Sequence, residues 1–433
     1  MQDYINVIGA GLAGCEAAWQ AAKRGVKVKL YEMKPQKYSP AHHYETFAEL
    51  VCSNSLRSDR IENAVGLLKE EMRNLDSLII KCADKTRIPA GGALAVDREG
   101  FSKLVTSEIL GNENISYINK EVIELEENTV SVIASGPLTS EDFSGYISQL
   151  VGCEYLHFFD AAAPIVTYDS IDFSRAFKAS RYGKGDDDYI NCPMNKDQYE
   201  AFWNALVTAE LAEVKQLDKE VVFEGCMPVE TMAKRGIDTL RFGPLKPVGL
   251  TDPATGKYPY AVVQLRQDNN QATLYNIVGF QTRLKWPEQK RVFSMIPGLQ
   301  KAEFVRYGVM HKNTFINSPK LLDNTYAMRE KPEVYFAGQI TGVEGYVESA
   351  ASGLLAGINA SNRLLGKKPF ILPSTTVIGS MSAYISDTSV RNFQPMNANF
   401  GLVDTLEIKT RDKKKKYMEV AEKSIQIIKN YEL

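Results

Sequence analysis

Two groups of residues in this 433-residue chain have types and spacings suited to chemistry: an N-terminal set of glycines and a few cysteines in turn-prone surroundings. Gly9-Ala10-Gly11-Leu12-Ala13-Gly14 carries the G-x-G-x-x-G spacing, and Glu32 closes the unit that this run begins. In that pattern the first glycine permits a tight turn and the second lets a pyrophosphate approach the backbone. The third lets helix and strand pack closely, and the acid accepts hydrogen bonds from a ribose hydroxyl. Met33, next in the chain, is grouped with Glu32 among the cofactor-binding residues. Most cysteines in proteins are small buried apolar residues, and a thiol becomes a nucleophile or redox group only in a polar, partly open setting. Cys226, in Glu224-Gly225-Cys226-Met227-Pro228, departs from the ordinary case because glycine and proline force an irregular backbone around it. Cys52, in Val51-Cys52-Ser53-Asn54-Ser55, stands at an element boundary. Cys15 falls in the first helix as a buried thiol, Cys82 and Cys153 have no motif around them, and Cys192, before Pro193, is ambiguous.

These groups must be positioned by regular elements. Tyr4 to Ile8 is too short for a helix and rich in β-branched residues, which predicts a buried parallel strand. A helix from Ala13 to about Arg24 then aims its positive end at the phosphate, and Val28 to Tyr31 is the second strand. Late in the chain, Val334-Tyr335-Phe336-Ala337-Gly338 repeats the strand-to-glycine pattern. Gly342-Val343-Glu344-Gly345-Tyr346 follows, and then a helix from Val347 to about Leu365 full of small residues. Two such units are how flavoproteins complete an FAD site: the first holds the ADP half, and the late helix directs its dipole toward the isoalloxazine. The second unit favours FAD over NAD. Ala134-Ser135-Gly136 would return the chain to the cofactor sheet, with serine where such flavoproteins carry threonine. Further helices are expected at Ala64 to about Leu78, Phe101 to Leu110, Lys196 to Ala209 and Lys415 to Tyr431. Strands are expected at Ile115 to Glu124, Thr129 to Ala134, Tyr260 to Arg266 and Leu274 to Phe280.

The fold class that follows is α/β, a Rossmann-like two-dinucleotide-binding flavoprotein fold with an inserted mixed α+β substrate domain. Residues 1–165 and 310–433 form the two parts of the FAD-binding domain, the second with the C-terminal helix, and 166–309 form the insertion. A composition of 44% apolar and 24% charged residues is that of an ordinary globular protein. A net charge of −2 gives no global basic field, so an RNA partner would have to use a local patch. The insertion offers one in Lys234, Arg235, Arg241, Lys246, Arg266, Arg283, Lys285 and Lys290, which would otherwise be a solvated surface. The six cysteines include no C-x-x-C pair, so neither a metal site nor a disulfide scaffold is expected. A strand that begins within four residues leaves no room for a signal peptide, and no apolar run is long enough for a membrane span, so the expected location is the cytoplasm.

Gly9 to Trp19, Glu49-Leu50-Val51-Cys52-Ser53-Asn54-Ser55, Pro89-Ala90-Gly91-Gly92-Ala93-Leu94-Ala95-Val96-Asp97-Arg98, Phe223 to Pro228 and Gly342 to Ser349 together carry a resemblance. The chain resembles the folate- and FAD-dependent tRNA (uracil-5-)-methyltransferase family, from Ile5 to about Leu402. A related wobble-uridine-modifying flavoprotein shares the glycine fingerprint but not the other motifs. The resemblance implies that 5,10-methylenetetrahydrofolate donates a carbon to C5 of an RNA uridine, with reduced FAD as hydride source and NAD(P)H re-reducing the flavin. The implied target is position 54 of the tRNA T-loop, with a 23S rRNA uridine as the alternative. Uracil C5 is a poor nucleophile until a thiolate adds at C6. By resemblance Cys226 is that nucleophile, and Cys52 assists beside the flavin. His311 and Tyr346 flank the stacked pterin and flavin, and the basic residues of the insertion, Lys234, Arg235, Arg283 and Lys285 above all, become RNA contacts. No membrane and no obligate protein partner are implied. Cys15 stands where the family is expected to carry serine, and Ser382-Ala383-Tyr384 where Ala-His-Tyr is expected. A reading from another class remains open, a flavin-dependent thiol or NAD(P)H oxidoreductase without RNA.

Overall fold

The computed structural model describes residues 2–152, 156–161, 163–183, 186–212, 227–308, 310–391, 393–405, 408, 410 and 412–431, with the backbone alone described at 156–161, 310–312 and 413. Tyr4–Ile8 lies at the centre of a five-stranded sheet in the order Val334–Phe336, Val130–Ile133, Tyr4–Ile8, Lys27–Glu32, Ile115–Asn119. Every pairing in it is parallel. Parallel neighbours need a crossover, and the helix Leu12–Lys23 supplies the first. Ile5, Val7, Val28, Leu30, Val130 and Val132 share one face of the sheet by register, and all are buried.

The small residues of the helix Tyr346–Leu364 have a steric reason. A Cβ added to Gly353 would stand 2.2 Å from the carbonyl oxygen of Ala13, and one on Gly357 would stand 2.5 Å from that of Ala17. The late helix therefore lies against the backbone of the first one, and the two glycine units are joined through this contact.

The strand expected from Leu274 to Phe280 ends at Ile277, the helix expected from Phe101 begins at Arg98, and two other expected elements differ further. The helix predicted from Ala64 to about Leu78 is two, Ala64–Asn74 and Leu78–Lys85. Asp76 between them takes a left-handed φ of +57°. The Ser77 hydroxyl then caps the second helix, accepting from the Ile80 amide at 3.2 Å. Glu16, buried in the first helix, accepts from the Ser77 hydroxyl and from the amides of Leu78 and Ile79, so local polar bonds override the apolar spacing. The strand expected to reach Glu124 ends at Asn119, whose side chain turns back to the carbonyls of Glu32 and Lys34.

A second core lies in residues 165–306. Its sheet is antiparallel, in the order Phe177–Lys178, Tyr189–Met194, Ala261–Gln267, Leu274–Ile277, Ile165–Thr167, Phe304–Arg306. The helix Lys196–Thr208, opened by an Asn195–Gln198 capping box, buries Tyr199, Phe202 and Leu206 in this core, where Phe280 and Phe293 also lie. Leu156–Ala161 and Met310–Phe315 pair antiparallel, so the chain leaves for this region and returns from it side by side. A three-stranded sheet, Ser55–Ser58, Ala93–Val96 and Arg87–Ile88, completes the first half. The C-terminal helix Lys413–Asn430 is capped by Asp412 and buries Val420, Ala421 and Ile428. Among the described residues no helix is long and apolar enough to cross a membrane.

Candidate active site

The glycine turn opens one end of a cleft of about 1370 Å³, its open mouth included. Gly9 takes a φ of +99°, and a Cβ there would stand 2.6 Å from the Ala134 carbonyl oxygen. A Cβ on Gly14 would stand 1.8 Å from the Gly9 carbonyl oxygen, so the third glycine lets the helix sit on the turn. Gly11 is different: a Cβ there meets nothing within 4 Å, and its backbone is open to a ligand. Glu32 ends the second strand, and its carboxylate accepts from the amides of Ala10 at 2.9 Å and Lys34 at 3.0 Å. Each oxygen keeps lone-pair capacity toward the cleft. This pairing of an open glycine turn, a helix N-terminus and a carboxylate at the strand end fits the phosphate and ribose of a dinucleotide.

Cys52 and Tyr346 line the same cleft. Tyr346 begins the late helix, and its hydroxyl accepts from the amides of Cys52 at 2.7 Å and Ser53 at 3.3 Å. The same hydroxyl donates to the Cys52 sulfur at 3.1 Å. Burial, and then the neighbouring Cys52, push the Tyr346 phenol well above its ordinary value, which keeps it a donor. The stretch before Cys52 is pinned to the glycine turn, the Ala48 amide donating to the Ala10 carbonyl at 2.9 Å. The stretch after it is tied to the late helix by an ion pair between Arg57 and the buried Glu348. The other described cysteines are inert by comparison. Cys15 is buried and its thiol is pushed well up by burial, and burial pushes Cys82 and Cys192 up to about 12.

Of the residues expected to bind cofactor, Gly9, Ala10, Gly11, Leu12, Ala13, Glu32, Met33, Gly338 and Tyr346 line this one cleft. Gly14 lies beneath the turn. Gly342, Val343, Glu344 and Gly345 lie off the wall: a Cβ on Gly342 would stand 2.4 Å from the Phe393 ring, Val343 bridges to Met396, and the Glu344 carboxylate accepts from Gln339 at 2.6 Å. Gly345 takes a φ of +121° where the late helix begins. Cys226 lies outside the described residues. His311 belongs to the strand Met310–Phe315, two residues before Asn313, which lines the cleft.

The basic residues of the second region come together through Glu230. Its carboxylate accepts from the Thr282 hydroxyl at 2.8 Å and the Arg283 amide at 2.9 Å. That joins the short helix Val229–Lys234, with Lys234 and Arg235 exposed at its end, to the segment carrying Arg283 and Lys285. Lys285 also pairs with Glu210 at 2.7 Å. Sequence reasoning missed Lys34, Ser39 and Lys120, which line the cleft as well, and gave no binding role to Glu49 and Ser349, which line it too although both stand within the quoted motifs. Lys34, Ser39 and Lys120 come from loops with no local signature, and only the closure of the chain brings them to one wall. Among the described residues no cluster of side chains suits a metal ion.

Comparison with known proteins gives the same picture over the whole chain. The family model described as glucose inhibited division protein A matches residues 4–368. Two solved structures of GidA from Aquifex aeolicus superpose with TM-scores of 0.70 and 0.71 at 17% identity, covering 99% of this chain and 74% and 76% of theirs, which shows a shared fold. Relatives named methylenetetrahydrofolate–tRNA-(uracil-5-)-methyltransferase TrmFO match end to end. The protein from Acetivibrio thermocellus is 70% identical over 431 residues, covering 100% of this chain and 99% of its own. That from Bacillus subtilis is 58% identical over 427 residues, covering 99% and 98%. With its glycine turn, its late helix and its Cys52–Tyr346 pair in one cleft, and with this identity over its full length, the chain belongs to the TrmFO family of methylenetetrahydrofolate–tRNA-(uracil-5-)-methyltransferases.

Proposed function

We propose that this protein methylates C5 of a uridine in RNA, the one at position 54 of the tRNA T-loop, taking the carbon from 5,10-methylenetetrahydrofolate. The observation that carries this reading is the single cleft running from the Gly9 turn and Glu32 to the Cys52–Tyr346 pair. FAD bound there and reduced by NAD(P)H would supply the hydride that turns the transferred carbon into a methyl group. Gly9 to Ala13 would hold its pyrophosphate, Glu32 and Met33 the adenosine side, and Gly338 and the start of the late helix the flavin side. Gly14, Gly342, Val343, Glu344 and Gly345 shape the turns that present those groups.

Cys226 adds to C6 of the uracil, which makes C5 nucleophilic. Cys52, with Tyr346 donating to its sulfur, would as a thiolate take the C5 proton, and Cys226 leaves C6 as the C5–C6 double bond re-forms. His311 and Tyr346 bracket the pterin. Residues 166–309 present the RNA, with Lys234, Arg235, Arg283 and Lys285 on its phosphates. Such a role places the protein with its tRNA in the cytoplasm.

Purified protein incubated with an undermodified T-loop transcript, methylenetetrahydrofolate and NADPH is expected to yield 5-methyluridine. Cys226→Ala is expected to bind flavin and form no product. Product on 23S rRNA alone would move the target, and no product on either RNA would overturn the reading. NADPH turnover without RNA, undiminished in Cys226→Ala, would point instead to a flavin-dependent oxidoreductase.

A further inference from the structure

The loop that carries Cys52 is gripped on three sides by arginines, two of which come from the second core. Arg98, fully buried at the start of the helix Arg98–Leu110, donates to the Leu50 carbonyl. Arg306, on the edge strand of the second sheet, donates to the Val51 carbonyl. Arg266, buried in the strand Ala261–Gln267, donates to the Ser53 hydroxyl at 2.8 Å and to the Asn54 side-chain oxygen at 3.2 Å. Asn54 in turn donates to the carbonyls of Val96 at 3.0 Å and Gln267 at 2.9 Å. Two residues on each side of the thiol, Leu50 and Val51 before it and Ser53 and Asn54 after it, are thus held by guanidinium groups.

The charges do not cancel. Asp268 forms a two-bond pair with Arg98, at 2.9 and 3.1 Å. No carboxylate is paired with Arg266 or Arg306 among the described residues, and the Arg306 Nε has no hydrogen-bond partner. Glu49, the acid nearest in sequence, is engaged by the amides of His43 and Tyr44 and lies 3.8 Å from the Lys34 ammonium. Glu348 is answered by Arg57. The other titratable groups on the surrounding elements are the carboxylates Asp97 and Glu99 beside Arg98 and Asp188 beside Tyr189, and the phenols Tyr346 on the sulfur itself, Tyr44 near Arg98 and Arg306, and Tyr189 near Arg266. Of the three guanidiniums that hold the loop, which stay charged even where burial opposes it, only Arg98 is paired with a carboxylate among the described residues.

The same contacts join the two halves of the molecule. Asp97 caps its helix through the Gly100 amide and also accepts from the Asn270 amide at 2.6 Å. Gly91 donates to Asp188 at 2.6 Å, and Tyr189 donates to the Ala90 carbonyl at 3.1 Å. The Pro89–Arg98 motif is thus the seat on which the second core docks.

We propose that Arg98, Arg266 and Arg306 are positioning residues for Cys52, fixing its loop across the boundary between the halves and surrounding the sulfur with the positive charge that favours its thiolate. This rests on the reading of Cys52 as the flavin-side thiol of the methyl transfer. The substrate-side core would then reach the flavin side of the cleft through Arg266 and Arg306, with no separate moving part.

The test uses the full-length, flavin-loaded protein. The rate of Cys52 alkylation by iodoacetamide is followed against pH, peptide by peptide in a mass spectrometer so that other thiols do not blur it. Arg306→Gln, at the partly exposed member of the three, is expected to move the midpoint of that profile up by about one pH unit. Arg266→Gln is expected to do the same, and Arg306→Lys to restore most of the shift. In methylation assays Arg306→Gln is expected to lower kcat about tenfold with the KM for RNA unchanged. Profiles for Arg306→Gln and Arg266→Gln that superpose on the parent's, at equal flavin content, would overturn the proposal. If Cys52→Ala keeps full methylation, the reading of Cys52 as a reaction thiol fails, yet the alkylation profiles still report on the arginines.

Discussion

One phenol does three things at the flavin-side end of the cleft. The Tyr346 hydroxyl accepts from two consecutive amides and donates its only proton to the Cys52 sulfur. In Tyr346→Phe those amides lose their acceptor, and a buried donor without a partner costs about 1–3 kcal/mol. The expected result is a drop of that order in urea-denaturation stability, with faster amide hydrogen exchange at Cys52 and Ser53. Unchanged exchange at both amides would mean that the loop is held by its arginines alone. The identity of Cys52 as a thiol outside the core was legible because polar, turn-prone residues surround it. Its partner was not, because Cys52 and Tyr346 are 294 residues apart in sequence.

Among the elements, the contact between the first and late helices matters most for the cofactor. Gly353 and Gly357 meet backbone atoms rather than flexible side chains, so a larger residue there cannot be absorbed by a rotamer change. Gly357→Val must push the helices apart, and overpacking of this kind costs about 1–3 kcal/mol or more. The expected outcome is reduced flavin content per mole of purified protein together with lower stability. An unchanged flavin spectrum and denaturation midpoint would show that the two units are not coupled through this contact. The small-residue run predicted close packing, and the structure shows its partner to be the backbone of Ala13 and Ala17. The break at Asp76 was hidden because Val65, Leu68, Met72 and Leu75 continue a helical spacing up to it. The competing bonds come from Glu16, on another helix.

For the whole molecule, a net charge of −2 leaves RNA binding to a local surface. Lys234 is exposed, whereas Lys285 already holds Glu210. Lys234→Ala and Arg235→Ala are each expected to weaken tRNA binding across sequences and to reduce the slope of log affinity against log salt by about 1. Lys285→Ala is expected to do less, because its ammonium must first leave a carboxylate. Affinity measured at several salt concentrations checks this, and a slope unchanged in all three variants would put the RNA elsewhere.

The first strand, the glycine turn, Glu32 and the late glycine unit could be read in the chain because each depends on neighbours within a few residues: backbone freedom, strand length and helix polarity act locally. The motifs around Cys52, Asp97 and Gly342 could be read only by resemblance to a family, as short runs of consecutive residues. What the Pro89–Arg98 motif does could not, since its partners at Asp188, Tyr189, Asp268 and Asn270 belong to another core. Nor could the order of the strands, the wall of the cleft supplied by Lys34, Glu49 and Lys120, or the meeting of Arg98, Arg266 and Arg306 on one loop. Those are contacts between residues far apart in the chain, and only burial of two cores against each other decides which of them come within hydrogen-bonding distance.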